Sequence, residues 1–219
     1  MKQALIILML ASPCFAGPSV TLLGGGTFPM SKIEIEGGGK DDIGKSGVAA
    51  GIQLMVPVHE RISVGFDFLN HNFGEKTSDV LLPPTRATYQ LDSRTFLAAG
   101  RLDFPHEKIR PFIFLGLGFH SSSMEADLEP TAGLAWSDTG TTEKRRIIDD
   151  SGTAFASALA LGADFSVSSA AYIGFEARYS YFGKTTFHTR SISATSSTVG
   201  EIEGDTSSID LLARLSFRF

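Results

Sequence analysis

Eight stretches of this sequence alternate apolar and polar residues, and the joints between them alternate in length. No other feature limits the fold as tightly. The stretches cover about 18–28, 45–56, 61–71, 89–104, 110–119, 153–167, 173–181 and 209–219. Three joints are short, at 57–60, 105–109 and 168–170, and four are long and polar, at 29–44, 74–88, 121–152 and 184–207. The order is long, short, long, short, long, short, long. A soluble sandwich has no reason to sort its loops by side. A membrane barrel does, with both chain ends on the short-turn side.

Side chains alternate faces along a strand, so each stretch has two sides. The last shows them best: Ile209, Leu211, Ala213, Leu215, Phe217 and Phe219 lie on one, and Asp210, Arg214, Ser216 and Arg218 on the other, with Leu212 the exception. A soluble eight-stranded barrel buries its apolar face. Here the polar set also holds Asp67, Arg101, Asp103, Asp164, Glu176 and Arg178, among small residues such as Gly116, Gly118, Ala156, Ala158, Ala160, Gly162 and Gly174. One Arg or Lys facing lipid at the midplane costs about 2–4 kcal/mol, so this set must face inward. The pattern predicts an all-β fold: an eight-stranded antiparallel up-and-down transmembrane β-barrel with short periplasmic turns and four long extracellular loops.

The chain starts Met1-Lys2-Gln3, continues with an apolar run at 4–11 and reaches Ser12-Pro13-Cys14-Phe15-Ala16. A basic start, a short apolar core and a small residue at the cut describe a secretory signal peptide, with cleavage expected after Ala16. Residues 1–16 are the expected leader and 17–219 the barrel domain. Lipidation on Cys14 fits poorly, because Pro13 stands directly before it. Cys14 is the only cysteine, so the mature chain carries no thiol for redox or thiolate-metal chemistry. Loss of Lys2 reduces 19 basic residues to 18 against 24 acidic ones, a net charge of −6 that argues against a nucleic-acid partner. Beyond the leader no apolar stretch approaches twenty residues, so a membrane span has to be a closed barrel.

Together these residues resemble the OmpA-like small barrel family, which includes the OmpA transmembrane domain, OmpX and the opacity-type surface proteins. The segment Arg110-Pro111-Phe112-Ile113-Phe114-Leu115-Gly116-Leu117-Gly118-Phe119 is similar to that family's Arg-Pro-aromatic strand with alternating glycines. The aromatic ending, with Leu215, Phe217 and Phe219 at alternate positions, resembles the signal read by the barrel-assembly machinery. The resemblance implies an outer membrane of the Gram-negative type, contact with its lipid and lipopolysaccharide, and loops free to meet a surface ligand or host receptor. It implies no periplasmic peptidoglycan-binding activity, since the sequence printed stops at its eighth strand.

Within the lumen, Glu176 and Arg214 each lie about five residues from a short-turn end, at similar depth on neighbouring strands. Arg178, Asp210 and Asp67 stand near or above that level, and Arg101, Asp103 and Asp164 below it. The expectation is an ion-pair network centred on Glu176 and Arg214 that plugs the barrel. The rival is a small gated pore, for which eight strands leave little room. His120-x-Ser122 faintly resembles the His-x-Ser element of lipid A deacylases. Ser123 stands where that family has Asn, no acid has the right spacing, and alternation turns His120 inward, so no catalytic residue is expected. Lys144-Arg145-Arg146 is a candidate for anionic surfaces, but Glu143, Asp149 and Asp150 flank it. Asp41-Asp42 and Glu201 to Asp205 lack calcium-ligand spacing, and His59, His71, His106 and His188 are scattered singly. No cofactor and no metal are expected. The reading is a non-enzymatic barrel with a structural or surface-interaction role.

Overall fold

The computed structural model of the protein describes residues 17–30, 32–34, 40–42, 45–80, 85–104, 106, 108–130, 144–189 and 200–219. The expected leader and Cys14 lie outside them, as do the side chains of Asp41, Asp42 and residues 201–205. In chain order the strands are β1 (Ser19–Pro29), β2 (Lys32–Glu34), β3 (Lys40–Asp42), β4 (Lys45–His59), β5 (Ile62–Gly74) and β6 (Lys76–Val80). They continue as β7 (Thr85–Asp103), β8 (Ile109–Pro130), β9 (Arg145–Ser166), β10 (Ala171–Thr189) and β11 (Gly200–Arg218).

Eight of these close a ring in the order β1-β4-β5-β7-β8-β9-β10-β11. The first strand seals it, pairing with β4 on one edge and β11 on the other, from Ser19 opposite Arg218 to Pro29 opposite Ser208. All pairs are antiparallel, so no edge is left open along this stretch. Strands β2 and β3 form a small hairpin of their own, and β6 pairs with the upper part of β7 beyond the end of β5.

The faces follow the alternation. Outward residues include Phe66, Phe96, Leu115, Leu117, Phe155, Leu161, Phe175 and Leu211, all exposed, while Asp67, Arg178, Glu176 and Arg214 are buried inside. Ile52, Phe68, Phe96, Phe119 and Phe155 are successive partners across five strands, a largely aromatic row on the outer wall. Such a row marks a membrane interface.

The strands run further than the apolar alternation predicts. Strand β8 continues eleven residues past Phe119, to Pro130, and β9 begins at Arg145 rather than near 153. The reason is legible in β8. Below His120 the odd positions, Ile113 to Phe119, are apolar and point out. Above it the odd positions are Ser121, Ser123, Glu125, Asp127 and Glu129, and the even ones, Met124, Ala126 and Leu128, are buried within. The alternation does not stop at the long-loop end; it changes sign. Phe73, Leu91, Met124, Ala126, Ile148 and Phe187 form a separate apolar core there, with Tyr89 and Ile147 packed against it.

Candidate functional site

The lumen below that core is crossed by charges. Asp67 on β5 and Arg178 on β10 stand on opposite walls, four strands apart around the ring in either direction. Their side chains nevertheless meet: Arg178 Nη1 and Nη2 donate to the two Asp67 carboxylate oxygens at 2.7 and 3.0 Å. Arg178 Nε donates to Glu176 Oε1 at 2.7 Å, and Glu176 Oε2 accepts from Arg214 Nη1. Arg214 also donates to Asp164 Oδ1 at 3.1 Å and to Gln53 Oε1 at 3.0 Å. Arg101 completes the chain, donating to Asp164 at 2.6 Å and Asp103 at 2.9 Å. Seven of the eight charges expected in the lumen therefore form one continuous network. A guanidinium suits this task because its planar fork satisfies two carboxylates at once.

Asp210 stands apart. It accepts from Thr27 at 2.6 Å, from Ser180 and Ser208 at 3.1 Å, and pairs with His71 Nε2 at 3.2 Å. Although Arg178 is its register partner on β10, every nitrogen of that guanidinium is already engaged by Asp67 and Glu176. The carboxylate is instead satisfied by hydroxyls and an imidazole, which charge counting does not anticipate.

Three further residues of the site are uncharged. Gln53 links Arg214 to Asp67, to which it donates at 3.1 Å. Phe112 lies beneath Arg101 and Arg214, 3.9 and 4.5 Å from the ring centre, and Phe114 beneath Arg178 at 4.7 Å. These rings supply cation–π contacts in a desolvated setting. Both phenylalanines sit at inward positions of β8, so the sequence signal for them was parity alone. Gly162 makes the room: a methyl there would collide with the Phe112 ring and the Phe175 carbonyl oxygen. All eight ring strands contribute to the network, to the separate Asp210 cluster or to the rings beneath.

The remaining candidates lie elsewhere. His120 is fully buried, its Nε2 3.2 Å from Thr185 Oγ1 and 3.5 Å from Ser122 Oγ, with the Phe182 ring 4.9 Å away. No carboxylate bonds to it among the described residues, and Ser122 is buried as well. Arg146 pairs with Glu125 at 3.0 Å and Asp127 at 3.1 Å, and Lys144 approaches Glu129 at 3.9 Å. The basic cluster is thus compensated, among others, by acids on the neighbouring strand β8. Leu215, Phe217 and Phe219 all face outward. His71 Nδ1, Ser93 Oγ and Thr95 Oγ1, on two adjacent strands, are buried without a side-chain or backbone hydrogen bond. They mark the level where the charged lumen gives way to the apolar core.

A family model described as the outer membrane protein beta-barrel domain matches residues 4–201. The chain belongs to that family. Its members are proteins of the Gram-negative outer membrane, so this barrel's short turns face the periplasm and its long loops the exterior. No curated protein sequence matches it significantly. Among solved structures it is similar to the outer membrane protein OprG from Pseudomonas aeruginosa, at 13% identity and a TM-score of 0.57, covering 94% of this chain and 97% of that one. It is also similar to the outer membrane protease OmpT from Escherichia coli, at 12% identity and a TM-score of 0.50, covering 92% and 96%. Neisserial surface protein A matches at 16% identity and a TM-score of 0.45, covering 93% and 98%. These likenesses concern the fold. As an outer-membrane barrel, this family member meets lipid through its apolar outer wall.

Proposed function

We propose that the protein is a non-enzymatic outer-membrane barrel whose lumen is closed by the arginine–carboxylate network, and which serves as a rigid carrier of surface loops. The observation that carries this reading is the contact between Asp67 and Arg178, which joins opposite walls with both side chains at 1% exposure or less. Removing one member of such a buried pair costs about 3–5 kcal/mol, so the bridge resists opening. The extracellular strands, stiffened by their own core, hold the loops away from the membrane, where contacts with a surface ligand or host receptor reside. The role is structural or adhesive, supporting envelope integrity. The outward Leu215, Phe217 and Phe219 fit engagement by the barrel-assembly machinery during insertion.

A gated channel is the second reading, favoured by one detail. Glu176 is shared by two arginines and Asp164 by two, so partners can exchange without leaving a charge alone. Lipid A modification is disfavoured, because His120 and Ser122 face the lumen rather than the bilayer. Conductance of the purified protein in planar bilayers tests the closed lumen. The expected result is a quiet membrane; steady nanosiemens-scale steps from the wild type would remove the plug in favour of the channel.

A further inference from the structure

At the periplasmic end of the lumen, two arginines are handled quite unlike the three above them. Arg110 is the second residue of β8, Tyr172 the second of β10 and Arg218 the last of β11, so all three meet at the short-turn rim. Parity turns their side chains inward, and both arginines are half-buried. One ring serves both cations: the Arg110 guanidinium lies 4.8 Å and that of Arg218 5.4 Å from the Tyr172 ring centre. Arg101, Arg178 and Arg214 each bind two carboxylates. Among the described residues, neither Arg110 nor Arg218 has an ion pair or a side-chain hydrogen bond, and each stands in the other's field. Asp103, an acid in that field, is already held by Arg101.

These residues border a recess of about 20 Å³ whose wall also includes the hydroxyl residues Ser19 and Ser63, together with Arg101 and the carboxylates of Asp103 and Asp164, which Arg101 and Arg214 already hold. Two like charges that share one ring repel, and an anion within reach of both relieves the repulsion. Guanidinium forks match carboxylate and phosphate oxygens, and here they are held in place by stacking before any ligand arrives. The recess is about the size of one water molecule, so it admits a single oxygen of an anionic head and not a whole molecule. We propose that Arg110, Arg218 and Tyr172 form an anion site on the floor of the barrel, which takes the carboxylate or phosphate group of a molecule approaching from the periplasm. The site is independent of whether the lumen above it conducts.

The test uses the full-length mature barrel in phosphatidylcholine nanodiscs, with arginine Nε–H resonances followed while inorganic phosphate or acetate is added. The expected result is a saturable shift of Arg110 and Arg218 together, with exposed Arg146 as the internal reference for bulk ionic strength. Arg110→Gln and Arg218→Gln each weaken the remaining response by about tenfold or more, as loss of a charge-assisted contact requires. Two separate variants guard against one failing to fold, which heat-modifiable electrophoretic mobility reports. If nanodiscs containing phosphatidylglycerol place both resonances at the bound position before any addition, the site stands and lipid headgroups supply the anion. A linear drift equal to that of Arg146 in both lipids would overturn the proposal.

Discussion

The membrane half of the barrel and the half above it share strands, with the ladder of β10 shifting register between Phe182 and Thr185, yet they are inside out with respect to each other. Below the level of His120, Leu115 and Leu117 face out while Arg178 and Glu176 lie within. Above it, Met124, Ala126, Ile148 and Phe187 lie within while Glu125, Asp127 and Arg146 face solvent. Along β8 the odd positions face outward on both sides of the change. Only the surroundings differ: lipid penalises a charge outside, and water penalises an apolar residue outside. A sheet that crosses from one solvent to another must therefore reverse its side-chain code within a few residues, and Ser121-Ser122-Ser123 is where β8 does so.

The largest effect is expected from the charges of the lower half. Arg178→Met leaves Asp67 and Glu176 each short of a partner, and should lower unfolding stability in detergent micelles by about 3–5 kcal/mol. A cost below 1 kcal/mol would mean that the lumen is wet and the network no plug. Next comes the outer wall. Leu117→Arg should cost about 2–4 kcal/mol, whereas Ser123→Arg, six residues along on the same face, should be close to neutral. Equal penalties at the two sites would erase the boundary between the halves.

Ile148→Ala should cost about 2 kcal/mol or somewhat more through the cavity it leaves. That loss belongs to the upper half, so limited proteolysis near residues 124–150 should quicken while the thermal transition of the membrane half stays in place. The smallest effect concerns a single exposed carboxylate above the membrane. Asp150 is held below the usual carboxylate range, first by the His188 backbone N–H, then by the His188 ring and the Ser151 N–H. A carboxylate depressed on folding contributes above its unfolded value near 3.8, and that contribution is lost as pH falls through the lower folded value. The His188 amide resonance should accordingly titrate with a midpoint below 3.8; a midpoint at or above it would detach this hairpin contact from the scheme.

The lower half was open to reading from the sequence because lipid enforces a strict code. Val48 to Val56, Ile113 to Phe119 and Ile209 to Phe219 each carry an apolar outward face, with Leu212 the inward exception in the last, and the inward acids and arginines follow by parity. What parity cannot supply is who binds whom across the lumen. Asp210 turned to His71 and Thr27 while all three nitrogens of the guanidinium beside it point to Asp67 and Glu176, a fact of three-dimensional packing. Phe112, Phe114 and Gln53 carried no charge to flag them. The upper core was legible in principle, since Met124, Ala126 and Leu128 alternate with Glu125, Asp127 and Glu129. Once hydrophobic residues moved to the opposite phase, however, a search for the original phase reads the segment as polar loop.

The inversion itself can be measured directly, because the mature chain, cleaved after Ala16, would have no native cysteine to compete with a label. Single cysteines at 113, 115, 117, 119, 121, 123, 125 and 127, spin-labelled in nanodiscs, report collision with oxygen in lipid and with a nickel chelate in water. Oxygen should dominate from 113 to 119 and the chelate from 121 to 127, with the crossover between Phe119 and Ser123. Uniform accessibility to one reagent along all eight positions, or the reverse order, would contradict a barrel that changes its code at the membrane surface.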